Sequence, residues 1–253
     1  MTKAALLVLS LTACARPPQQ EPSVVPGVPV TFDMGRGADT VVFRRSITRA
    51  GQDTSAGTRT VVLQVVPGPN RVALLEVEQR FPGGGGTIVD TAIAELHTLR
   101  AVAHRSHQPT RTMRFDFTAT DAVGVVTTAF PDSTPRVDTV RQSLGGRIFD
   151  SNVLDLVIAA LPLRPEFTTD LPFFIYERGG RVPMPVAVRE RATIDFPVVG
   201  PRAAWVVSVG VPGAPATIWV DTETRAVLRT RYDITARSLS FTDDRITPLH
   251  DPG

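Results

Sequence analysis

Phe149 to Leu163 reads FDSNVLDLVIAALPL, and the chain is organised around this stretch. Asp150, Ser151 and Asn152 are candidate N-caps, because their side-chain oxygens accept the free N–H groups of a helix's first turn. Leu154, Val157, Ile158 and Leu161 follow at the i, i+3, i+4, i+7 spacing of one helical face. Val153, Leu156 and Ala160 make the neighbouring face apolar too, and Asp155 is the one polar interruption. Pro162 stops the segment, since proline lacks an N–H and pushes Leu161 out of the α region. The spacing predicts one main helix near 151–161, buried on most sides.

On both sides of this helix the sequence alternates with a period of two. Ala73, Leu75, Val77 and Phe81 share one face of a strand, and Glu76, Glu78 and Arg80 share the other. Met113, Phe115 and Phe117 alternate with Arg114, Asp116 and Thr118, and Trp205, Val207 and Val209 share a face after the helix. Such alternation marks antiparallel sheet with one wet face. Val41, Phe43 and Ile47 give the first strand its apolar face. Glu190 falls on the apolar parity of its strand, and a β-bulge or an Arg partner is expected there, because an unpaired buried carboxylate is costly. Asp221 is placed to cap the turn Asp221 to Thr224 with its side chain. Ser238 to Phe241 adds an edge strand. The fold class is mainly β: a large curved antiparallel sheet, an incomplete barrel, with one main helix.

The chain has 253 residues, of which 42% are hydrophobic, enough for a sizeable core. Its 22 prolines and 19 glycines suit many turns between short strands. Lys3 is the sole lysine among the 27 basic residues, and the formal charge is only +2. A pI of 9.2 on so small a charge, with no block of like charges, gives no footprint for nucleic acid.

At the N-terminus a basic residue, Lys3, precedes the apolar run Ala4 to Leu11, which is too short to span a bilayer. Leu11-Thr12-Ala13-Cys14 resembles the lipobox of bacterial lipoproteins. That resemblance implies cleavage of a signal peptide, residues 1–13, and lipidation of Cys14. Cys14 is the single cysteine, so it leaves neither a disulfide nor a catalytic thiol. Residues 14–29 contain five prolines (Pro17, Pro18, Pro22, Pro26, Pro29) and read as an extended tether, which at about 3.1 Å per residue reaches roughly 40 Å. Residues 30–242 then form a single antiparallel β domain, and 243–253 a flexible tail.

Glu95-Leu96-His97-Thr98-Leu99-Arg100, the block 149–163, and Ile218-Trp219-Val220-Asp221-Thr222-Glu223-Thr224-Arg225 together resemble an uncharacterised family of bacterial exported β-sheet proteins. That family is similar in architecture to the lipoprotein carriers LolA and LolB. The resemblance implies a curved sheet wrapped on a helix, in a protein anchored to the periplasmic side of the outer membrane.

No metal or cofactor is expected. His104 and His107 lie three apart on a strand, so they point to opposite faces. The chain has no G-x-S-x-G, no H-E-x-x-H and no P-loop. The expected function is therefore non-enzymatic: a membrane-anchored binding or carrier module for a hydrophobic or lipid ligand. Met113, Phe115, Phe117, Leu154, Val157, Ile158, Leu161, Trp205 and Val207 are the candidate wall residues, between sheet and helix. The competing expectation is a structural or protein-interaction lipoprotein with a solid core and an envelope protein as its partner. Changing Cys14→Ser should leave an uncleaved or soluble exported protein. A variant that keeps the wild-type mass and stays in the membrane fraction would refute the anchor.

Overall fold

The computed structural model describes residues 38–249, apart from positions 70, 71, 84, 132, 179 and 212. The expected signal peptide, Cys14 and the 14–29 tether lie outside the described residues. Before the helix come β1 Ala38–Arg49, β2 Gln52–Pro67, β3 Ala73–Gly83, β4 Gly86–Glu95, β5 Ala101–Gln108, β6 Arg111–Phe117, β7 Asp121–Phe130, β8 Ser133–Ser143 and the two-residue β9 Phe149–Asp150. The helix α1 spans Leu154–Ala160, entered through a 3₁₀ turn at Ser151–Val153. After it come β10 Thr168–Ile175, β11 Gly180–Phe196, β12 Gly200–Val209, β13 Ala216–Asp221, β14 Val227–Ile234 and β15 Leu239–Arg245.

All fifteen strands lie in one sheet, in the order β8-β7-β6-β5-β4-β3-β2-β1-β15-β14-β13-β12-β11-β10-β9. Each half of the chain is a meander, and the two halves join where β1 pairs antiparallel with β15. Among the described residues the one parallel contact is β9 with β10. The edge strands, β8 and β9, follow one another in sequence without a ladder between them. The sheet is thus an open barrel, as the alternation predicts.

Residues 144–148 cross the seam between the edges. Leu144 and Ile148 are buried against Phe115, Phe117 and Phe174. The Ala101 amide donates to the Ile148 carbonyl at 3.0 Å.

The helix forms where the sequence places it. The Asp150 side chain accepts from the Asn152 amide at 2.8 Å. Leu161 is extended, with φ −66° and ψ 149°, as a residue before proline must be. Val153, Val157, Ile158 and Leu161 are each at most 1% exposed, packed among Leu75, Val77, Val207, Ile218 and Val220. Full burial of one such side chain contributes about 1.5–3 kcal/mol. The guanidinium of Arg225, on the β13–β14 turn, donates to the carbonyls of Ala159 and Leu161, closing the helix's C-terminal end. Asp221 caps that same turn, accepting from the amides of Glu223 and Thr224.

Two further details test the parity reading. At Glu190 the register shifts between Val188 and Glu190, and the side chain is exposed, so the bulge is real. The expected loose tail from 243 is corrected. β15 runs to Arg245 and lies between β1 and β14 in the middle of the sheet, with Asp243 fully buried. Its charged sequence looks like a solvated end only until its two neighbours are known.

Gly124 on β7 sits opposite Phe115 on β6. A Cβ there would come within 2.1 Å of the Arg114 carbonyl oxygen and 2.5 Å of the Phe115 ring. Gly124→Ala should therefore overpack this face and cost about 1–3 kcal/mol, lowering the melting temperature by at least about 2 °C. An unchanged melting temperature would contradict this packing.

Candidate functional site

The inward faces of the central strands do not stay apolar along their whole length. Arg45 shares the parity of Val41 and Phe43, Arg59 that of Val61 and Leu63, and Gln79 that of Leu75 and Val77. Asp90 and Ser106 continue the pattern on β4 and β5. In register, Asp243 lies opposite Arg45, Gln79 opposite Asp90, and Asp90 opposite Ser106. Adjacent strands run antiparallel, so these positions gather at one end of the trough. That end is polar, and the other is filled by the helix and the apolar core.

Arg45 sits at a bulge, where the β1–β2 register shifts between Arg44 and Ser46. Its Nε and Nη2 donate to the two oxygens of Asp243 at 2.7 and 2.8 Å. Its guanidinium lies over the Phe81 ring, 4.7 Å from the centroid. Arg59, 3% exposed, donates from Nη2 to Asp155 on the helix at 2.6 Å, and its Nε is 3.3 Å from Asp243. Gln79 accepts from Arg59 at 3.3 Å and donates to the Asn152 carbonyl at 2.7 Å.

Burial opposes the charge on Arg59, but Asp155 and Asp243 outweigh it and hold the guanidinium above its ordinary range. Burial, reinforced by Asp155, pushes the Tyr232 phenol up. Burial also raises the Asp90 carboxyl, against the pull of Ser106 and His104.

Arg45, Arg59, Gln79, Asp90, Asp155 and Tyr232 line a cavity of about 220 Å³. Among the described residues, Arg59 Nε, Asn152 Nδ2, Asp155 Oδ1 and Asp90 Oδ1 are buried without a hydrogen-bond partner. A buried polar atom left unsatisfied costs about 1–3 kcal/mol, so four of them around one cavity set it apart from the packed core.

A second buried pair adjoins it. His104 Nδ1 lies 3.0 Å from Asp150 Oδ2, tying β5 to β9. Among the described residues no cluster of three or more His, Cys, Asp or Glu side chains is arranged for a metal. No helix among them is long and apolar enough to cross a membrane.

The nine expected wall residues divide. Met113, Phe115 and Phe117 pack with Phe174 and Tyr176 in one cluster. Leu154, Val157, Ile158, Leu161 and Val207 belong to the main core, with Trp205 half-buried at its margin. Leu154 alone of the nine lines the cavity. The polar wall was missed by the sequence reading, although the shared parity of Arg45 with Phe43 and of Arg59 with Val61 was its signal.

Fold and pocket together define a class: an open, barrel-like β protein closed on one short helix. The sequence pattern of the family described as protein of unknown function, DUF3108, matches residues 32–239, and the chain belongs to that family. Among solved structures it is similar to a β-barrel-like protein of domain of unknown function DUF1849 from Brucella abortus. The identity is 9%, over 83% of this chain and 96% of that one, with a TM-score of 0.42. It is also similar to a DUF1329 family protein from Desulfovibrio piger ATCC 29098, at 10% identity over 83% of each chain and a TM-score of 0.28. No curated protein matches the chain.

The His104–Asp150 pair makes stability depend on pH. Burial alone would lower the imidazole's affinity for a proton, but Asp150, with Asp90 and Glu177 beyond it, outweighs burial and raises it above 6.5. A raised pKa gives stability that is whole below the unfolded value and lost as pH climbs through the folded one. Asp90, raised from 3.8, acts with the same sign at lower pH. The melting temperature should therefore fall as pH rises above about 6.5, and His104→Gln should flatten that slope. An equal slope in both proteins would show that the pair carries no proton linkage.

Proposed function

We propose that this protein is a non-enzymatic binding or carrier module of the bacterial cell envelope. In this reading lipidated Cys14 anchors it to the periplasmic side of the outer membrane. The pocket then takes the polar end of a small ligand whose remainder is apolar. One observation carries the reading: a cavity of about 220 Å³ where four buried polar atoms lack hydrogen-bond partners in the protein. That volume falls below the 300–1,000 Å³ usual for whole drug-sized ligands, so it suits one head group. The likeness in architecture to LolA and LolB belongs to this proposal and rests on the sequence blocks. The competing structural reading draws support from the helix, where Val157, Ile158 and Leu161 are fully buried in the main core and line no part of the cavity.

One substitution separates the two readings. Val211 lines the cavity and is half-buried. Val211→Trp should fill the space with little loss of stability. Native mass spectrometry of full-length protein extracted from its own membrane should show a bound small molecule on the wild type and none on the variant. Wild type without any added mass would leave the structural reading standing.

A further inference from the structure

We infer that the group the pocket accepts is uncharged and hydroxyl-bearing, a sugar or the glycerol head of a neutral lipid, rather than an anion. This rests on the binding reading above and names its ligand chemistry. Two arginines on a cavity wall ordinarily suggest a carboxylate or a phosphate. Here both are already matched by the protein's own carboxylates. Asp243 takes Arg45 with both oxygens and stands 3.3 Å from Arg59 Nε, and Asp155 takes Arg59 Nη2. Two guanidiniums therefore face two carboxylates, and an anion finds no uncompensated cation. To gain one it would have to displace Asp243, fully buried between two arginines, or break the 2.6 Å bond from Arg59 to Asp155.

A cation finds Asp155 and Asp243 already engaged, and the one carboxyl left to it is Asp90, whose neutral form burial favours. The nearby imidazole, His104, is paired with Asp150. Asp90 is the remaining carboxyl on the wall. Neutral, it leaves the balance at zero, and ionised, it would repel an anion further.

The unsatisfied atoms point to the same class. Arg59 Nε and Asn152 Nδ2 are donors, while Asp155 Oδ1 and an ionised Asp90 Oδ1 are acceptors. A single hydroxyl is donor and acceptor at once, so a group carrying several meets this mixture without a net charge. Ile175, Met184 and Val211, from the second half of the chain, add apolar side chains to the lining, as does Phe81 beside Gln79. They offer an apolar surface to the C–H face of a sugar ring or to the first methylenes of an acyl chain.

Isothermal titration calorimetry on the full-length protein in a zwitterionic detergent tests this with three probes: 1-monooleoylglycerol, glucose and oleate. At least one neutral probe should bind at least about tenfold tighter than oleate, a difference of about 1.4 kcal/mol. Glucose binding would identify a sugar site, and 1-monooleoylglycerol alone a neutral-lipid site. Oleate binding as tightly as the neutral probes, or tighter, would overturn the inference while leaving the binding reading intact. No binding of any probe would remove the binding reading, and the inference with it. Asn152→Ala removes one unsatisfied donor without touching either arginine, and it keeps the backbone carbonyl that Gln79 uses. It should weaken the neutral probe about three- to tenfold. Unchanged affinity in this variant, with its melting temperature also unchanged, would place the binding elsewhere and overturn the assignment.

Discussion

Asp243 is the residue on which the interior depends. It is fully buried, and it holds Arg45 with both oxygens while Arg59 stands 3.3 Å away. Arg59 in turn reaches Asp155 on the helix. The chain of charges thus runs from β1 through β15 and β2 to the helix, joining the first strand, the last strand and the central plug. Removing one partner of a buried ion pair typically costs about 3–5 kcal/mol, because the other charge remains buried and uncompensated. A sheet in which each strand otherwise meets only its sequence neighbours has one contact that closes the whole chain, β1 with β15. Asp243 and Arg45 face each other across that contact. The buried ion pair therefore sits where a slip in register would disturb both halves of the sheet at once.

The sequence shows local structure far better than it shows this pairing. The Asp150 cap, the Pro162 stop, the Glu190 bulge and the Asp221 turn were each readable because each depends on a few adjacent residues. The burial of Asp243 depends instead on β1, 198 residues away. Read locally, Thr242-Asp243-Asp244-Arg245 is a polar terminus. Arg45 was hidden for a related reason. It keeps the inward parity of Val41 and Phe43, but an arginine there reads as a break in the apolar face until its partner Asp243 on β15 is known. The three sequence blocks that carry the family resemblance also acquire a physical meaning. Arg225 of the Trp-Val-Asp block caps the helix of the second block. Leu99 of the first block is fully buried against the same core, held in a left-handed turn with φ 52°.

Fifteen twisted strands curl, yet they do not zip into a closed barrel here. β9 has only two residues and runs parallel to β10, so it offers β8 no ladder to join. The seam is closed by side chains. Leu144, Ile148 and Phe174 pack against Phe115 and Phe117 of β6, the Arg181 guanidinium donates to the Gly145 carbonyl, and His104 on β5 meets Asp150 on β9. Side-chain closure is weaker and more sensitive to conditions than a hydrogen-bonded ladder. A proton on His104 thus bears on how firmly β9, and the helix entry that follows it, is held against β5.

The same geometry decides where a ligand can be held. A seven-residue helix is about 10 Å long, while strands of ten to twelve residues span roughly 35 Å. One helix therefore plugs only part of the trough. At its C-terminal end Arg225 and the apolar strands complete the closure. At its N-terminal end the sheet supplies charged and amide side chains in place of apolar ones, and these pair with each other before they pair with anything else. Two arginines already paired with carboxylates exclude simple anions, because their counter-charges are in place. What remains is unfilled hydrogen-bonding capacity beside aliphatic surface, and that combination selects for a neutral polar group carried on an apolar body.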